Sequence, residues 1–108
     1  MATGRLAAPV QLAATTNTTA YTVPTGYYAV ANVSFTNTGT SSVTIRLAMS
    51  TSTSPSAAEW IEYDPVVVGK GVFERTGLVL QAGLNLIAYT NTGSAVNVSV
   101  YGFETATA

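Results

Sequence analysis

Over residues 29–49 the chain alternates strictly. Ala29, Ala31, Val33 and Phe35 are interleaved with Val30, Asn32, Ser34 and Thr36; after a polar break, Val43, Ile45, Leu47 and Met49 are interleaved with Thr44, Arg46 and Ala48. A period of two puts each set on one face of an extended strand, so both runs predict strands with one buried face. The break contains Asn37 and Gly39, residue types that tolerate the positive φ of a tight reversal. The stretch therefore reads as a β-hairpin at the centre of an all-β domain.

The remaining segments follow the same grammar. Residues 20–23 read as a short strand, and Val23-Pro24-Thr25-Gly26 as a type I turn. A loop of small residues, 50–58, is longer than a typical hairpin connection and is a candidate for function or mobility. It leads into Trp60-Ile61-Glu62-Tyr63-Asp64, a strand that Pro65 ends or bends. Gly69-Lys70-Gly71 predicts a turn, and residues 72–76 and 78–80 predict either two strands or one strand bent at Gly77, where a bulge would fit. Residues 84–89 and 95–103 form a last pair. Phe35-Thr36-Asn37-Thr38-Gly39 and Tyr89-Thr90-Asn91-Thr92-Gly93 place an aromatic before the same Thr-Asn-Thr-Gly, and both are expected to mark hairpins.

Seven or eight short strands predict a single antiparallel β-sandwich, jelly-roll or Ig-like, over residues 20–108, without significant helix. Residues 1–19 predict an edge strand or extended arm, because Pro9 argues against a central strand. Leu6, Val10 and Leu12 are its candidate docking residues.

Composition narrows the function. There is no Cys and no His, which removes disulfides, thiolate chemistry and the commonest proton shuttle and metal ligand. No metal, cofactor or catalytic residue is expected. Charged residues make up only 8% of the chain. An ordinary soluble domain carries roughly 25%. With a net charge of −1 and no basic run, a phosphate backbone is not an expected partner, and no membrane partner is expected either. A surface so poor in charge favours association, which predicts a homo-oligomer. No apolar run has the length of a membrane span or a secretory leader, so synthesis in the cytoplasm is expected.

Glu62 and Asp64 lie two apart and should share a strand face. Paired carboxylates serve glycosidases and calcium sites, but two alone define neither; ion pairs with Arg75 or Arg46 account for them as well. On a regular strand Trp60 falls in register with Glu62 and Asp64, opposite Ile61 and Tyr63. Two readings of Trp60 stay open: an outward ring that stacks on a sugar or anchors an interface, and a ring folded under the Ser-rich loop. Tyr27 and Tyr28 join Trp60, Glu62 and Asp64 as the candidate interface or ligand surface.

The segments Trp60-Ile61-Glu62-Tyr63-Asp64, Gly71-Val72-Phe73-Glu74-Arg75-Thr76-Gly77 and Val98-Ser99-Val100-Tyr101-Gly102-Phe103-Glu104 resemble a pattern in small structural proteins of tailed bacteriophages, cyanophages among them. Tyr21-Thr22-Val23-Pro24 and Val43-Thr44-Ile45-Arg46-Leu47 agree with it, so the resemblance spans about residues 20–104. Trp60 at the head of the acidic strand and Pro65 directly after it depart from the pattern. The resemblance implies a virion component whose partners are its own copies, a trimer first, and the major capsid or another virion protein. Decoration of the capsid is the leading expectation, ahead of a neck, tail or fibre accessory role. A carbohydrate-binding module built on Trp60 is the alternative from another class.

Overall fold

The structure, a computed structural model, describes residues 3–107. These form nine strands: β1 (Thr3–Arg5), β2 (Val10–Gln11), β3 (Thr18–Thr22), β4 (Tyr27–Asn37), β5 (Val43–Ser50), β6 (Trp60–Val67), β7 (Val72–Leu80), β8 (Asn85–Thr90) and β9 (Val96–Ala106). One 3₁₀ turn, Ala57–Glu59, precedes β6.

The predicted alternation is realised in burial. Ala29, Ala31, Val33 and Phe35 of β4 are buried, as are Val43, Ile45 and Leu47 of β5, while their interleaved neighbours are mostly half-exposed. Burying a side chain such as Ile45 or Leu47 contributes about 1.5–3 kcal/mol, so the buried faces hold the two layers together. These faces meet across a sandwich of two antiparallel sheets. The first has the order β1-β9-β4-β7, with β2 also on β9; the second has the order β3-β8-β5-β6.

The pairing corrects the expected hairpin. β4 pairs with β7 and β9, whereas β5 pairs with β6 and β8, so the residues between them cross from one sheet to the other. The same holds for β8 and β9. Both Thr-Asn-Thr-Gly segments are therefore arches between layers. Counting β1 and β2 as one interrupted strand, every connection changes sheet except β5 to β6, which is the strand order of a jelly roll. Period two fixes which face a strand buries; it carries no information on which strand lies beside it.

Asn37 shows what holds the first arch. Its side chain is fully buried, and its amide donates to the carbonyls of Ser41 (2.8 Å), Val67 (3.1 Å) and Val68 (3.2 Å) while its oxygen accepts from Gly39 N–H (3.0 Å). One carboxamide thus ties the β4–β5 arch to the β6–β7 turn. A smaller difference concerns the end of an element. The turn before β4 is closed by Tyr27 N–H donating to Pro24 O (3.2 Å), with Gly26 at φ 84°. It therefore lies one residue later than the predicted type I turn. The N-terminal segment takes the edge-strand alternative, with β1 and β2 paired to β9; Leu12 is buried in the core, and Leu6 and Val10 pack against it. The bulge at Gly77 is present, at φ 72°, with Asn32 Oδ1 accepting its N–H (3.0 Å).

Replacing Asn37 should cost more than its size suggests. Asn37→Ala leaves buried carbonyls without donors and should destabilise by about 3 kcal/mol. Asn37→Asp sets a carboxylate against the same carbonyls and should be worse, which urea unfolding of both variants would rank.

Candidate functional site on the second sheet

The strand that carries Trp60 is not regular. Along β5, Thr44, Arg46, Leu47 and Ala48 stand opposite Val66, Tyr63, Glu62 and Trp60, so β6 has one extra residue on each side of the Glu62-Tyr63 pair. Asp64 lies in the second bulge with φ 64°. That left-handed conformation is one that asparagine and aspartate adopt more readily than most residues. The first bulge, at Ile61, undoes the expected register. Cross-strand partners share a face. Trp60 therefore lies with Ala48 and Tyr63 with Arg46 on the outer face, whereas Glu62 lies with Leu47 on the inner side.

The predicted carboxylate pair is thereby separated. Asp64 binds Arg46 through both oxygens (2.7 and 3.1 Å), which holds its carboxyl below the usual range. Glu62 turns toward the other sheet and accepts from Arg75 of β7 (2.6 Å), an ion pair that links the two sheets at their neighbouring edges. Tyr28 stands exposed on the outer face of the first sheet, and Tyr27 packs partly against the core. The five residues expected on one surface are thus distributed over both faces and one edge. Trp60 and Asp64 share the outer face of the second sheet.

That face has a defined local structure. The Arg46 guanidinium lies 4.0 Å from the Tyr63 ring centre and 4.5 Å from that of Tyr89. The Trp60 and Tyr63 rings meet edge-to-face, 5.9 Å apart at 71°. An open cleft of about 330 Å³ is lined by Trp60, Tyr63 and Ala57 of the 3₁₀ turn. The Ser-rich loop folds back here: Glu59 accepts from Ser50 Oγ (2.8 Å) and Ser56 N–H (2.9 Å), and Asn85 Nδ2 donates to Ser52 O (3.3 Å). The bonds to Glu59, the Ser56 one foremost, lower its pKa. Ile87 and Ala48, on the outer side of β8 and β5, are completely buried. Trp60 is half-buried, so it is partly covered and partly available.

A larger open groove, about 540 Å³, lies by β2 on the first sheet and is lined by Pro9, Val10, Gln11, Thr36, Asn97 and Ser99. Its lining holds no titratable side chain. Among the described residues, no group of three or more His, Cys, Asp or Glu is placed to hold a metal. Each of the five acids accepts a hydrogen bond from its own chain: Glu74 from the Tyr101 hydroxyl, which raises the tyrosine pKa, and Glu104 from Tyr21 (2.5 Å). That last bond joins β9 to β3 across the core, between a buried carboxyl and a buried phenol. Periodicity gives no sign of the Arg46–Tyr89 contact, because Tyr89 comes from a strand far along the chain. Neither a protein family, nor a curated protein, nor a solved structure matches the chain.

Burial, then the Glu104 hydrogen bond, pushes the Tyr21 hydroxyl well above its ordinary value of 10.0. A raised folded-state value means that the contribution to stability is complete below the unfolded value and is lost as the pH climbs beyond it. Tyr21→Phe should lower stability at neutral pH by about 2 kcal/mol. Denaturant titrations between neutral and strongly alkaline pH should show the difference from the unsubstituted chain shrinking above pH 10.

Proposed function

We propose that the protein is a structural component of a tailed-phage virion, acting as a capsid decoration protein that binds the shell through apolar and sheet-edge contacts. The observation that carries this reading is a surface fitted for adhesion and poor in free charge. Val30 of β4 stands between Phe103 of β9 and Val79 of β7, so three apolar side chains lie side by side across the outer face of the first sheet. Val79 is 68% exposed and Phe103 44%. Tyr28 and Tyr101 flank the row, two residues along from Val30 and Phe103 and so on the same face.

This row runs to the sheet edge most open to a further strand. The second sheet ends in β6, blunted by two bulges and Pro65, and in β3, five residues long with a bulge after Thr19. Beyond β9 the first sheet carries, among the described residues, β1 and β2, of three and two residues. β7 is nine residues long, free of proline, and bulged once. Short strands, bulges and proline protect edges from pairing, and β7 is the least protected. Val72, with Val66 and Val68 on the far side of the turn, adds exposed apolar surface beside it.

Shell binding needs no catalysis, and the commitment of every acid to its own chain fits a passive role. Docked copies would bury the Phe103–Val30–Val79 row and extend a neighbouring sheet through β7, most simply as trimers around a local threefold of the shell. Quantitative mass spectrometry of particles of the encoding phage tests this reading. Copy numbers comparable to the major capsid protein are expected. A ratio lower by more than an order of magnitude would move the protein to the neck, tail or fibre, and absence would end the virion reading. Val79→Lys combined with Phe103→Lys should leave the melting temperature nearly unchanged, since both side chains face solvent. It should abolish binding to undecorated shells in a sedimentation assay.

A further inference from the structure

We propose that the outer face of the second sheet is a saccharide-binding site, centred on the cleft between Trp60 and Tyr63 and selective for neutral pyranose sugars. This inference stands apart from the virion reading and does not need it. It begins with a backbone irregularity. On a regular strand, residues three apart point to opposite faces, so Trp60 and Tyr63 would be separated by the sheet. The extra residue at Ile61 brings both rings to one side, and the second bulge, with Asp64 left-handed, brings a carboxylate to Arg46 on that side. Bulges that re-aim side chains recur beside functional sites. Here two of them within one eight-residue strand assemble a single surface.

The chemistry of that surface matches a sugar ring. A pyranose has a face of C–H groups and a rim of hydroxyls. Tyr63 is 60% exposed and lines the cleft together with Trp60. The two rings offer aromatic surface to the C–H face, in a cleft of a size suited to a small ligand. Arg46 commits two N–H groups to Asp64, with its plane fixed between Tyr63 and Tyr89. Arg46 thereby fixes the Tyr63 ring from behind, and the Tyr63 hydroxyl and the Trp60 indole N–H, which belong to the residues lining the cleft, suit hydroxyl oxygens. Ala57 makes the third wall, held by a 3₁₀ turn that Glu59 anchors.

Charge decides the class of sugar. Arg46 and Asp64 cancel each other, and Glu59 is engaged by Ser50 and Ser56. Among the described residues, no cation is left uncompensated beside the cleft to receive a carboxylate, sulfate or phosphate. Neutral hexoses therefore fit better than sialic or uronic acids, and the same argument disfavours nucleotides.

Trp60 is the chain's single tryptophan, so its fluorescence reports directly on the cleft. The test is titration of the full chain with neutral oligosaccharides of glucose, galactose, mannose and N-acetylglucosamine, with sialyllactose and a proline-rich peptide as competitors. At least one neutral sugar should shift the emission saturably at millimolar concentration. Tyr63→Ala should weaken that binding about tenfold or more. Trp60→Ala, followed by calorimetry, should do the same. Tyr63 is exposed, so its variant keeps the inference testable even if loss of Trp60 disturbs folding. Absence of any response to neutral sugars, equal binding by both variants, or preference for sialyllactose or the peptide would each overturn the proposal.

Discussion

The buried carboxamide of Asn37 sets the geometry on which the surfaces depend. A jelly roll carries its chain back and forth between two layers, and each crossing exposes backbone groups where no ladder can satisfy them. At the β4–β5 crossing the Asn37 amide collects carbonyls from its own arch and from the β6–β7 turn. The turn returns the contact: Lys70 N–H donates to Gly39 O (2.9 Å), and Lys70 Nζ to Thr38 O (2.9 Å). A buried polar group is stabilising when satisfied and costly when not, so this junction leaves the turn one position. β6 ends there and β7 begins there. The end of the bulged edge strand and the start of the open one are thus held at one place.

The second arch uses the same four residues differently. Asn91 is exposed; its Oδ1 accepts Thr44 N–H (3.1 Å), and Thr90 Oγ1 donates to Thr44 O (2.9 Å). At the first arch, Thr38 N–H and Oγ1 both donate to Ala95 O (2.7 and 2.9 Å). Each arch is tied to the neighbourhood of the other's connecting strand. This explains why the tetrapeptide serves as an arch: its side chains and N–H groups replace ladder partners that a crossing chain lacks. A hairpin turn asks for the same residue types, which is why the tetrapeptide suggests one.

Local pattern and long-range pairing therefore differ in how far they can be read. Alternation identifies the buried faces of β4 and β5 and the sandwich class, and Gly77 marks its bulge, because each is dictated within a few residues. Pairing depends on partners such as Val67 for Asn37 and Ala95 for Thr38, about thirty and sixty residues away. Trp60 is a different case. Counting register along an ideal strand puts it beside Glu62, and one extra residue reverses every side chain beyond it. Pro65 is a visible sign that the strand bends, but the bulge at Ile61 carries no glycine or proline to announce it. Leu12 takes a core position because β2, though short, lies along β9.

The same distribution of charge bears on both proposed surfaces. Arg46–Asp64 and Arg75–Glu62 lie at the margins of the sheets rather than in the core, so they matter less for stability than for placement. The first fixes the second bulge of β6 and the plane of the Arg46 stack; the second links the edges of the two sheets. The outer face of the first sheet keeps its apolar row, with Arg5 and Glu74 to one side of it, and that of the second is neutral and aromatic. These faces are turned away from each other, with the core between them. A copy attached through Phe103, Val30 and Val79 would direct Trp60 and Tyr63 outward, so attachment and sugar capture would compete for no residue. A copy attached through the aromatic face would lose the cleft. The opposition of the two faces therefore makes the first sheet the side by which both roles could operate together.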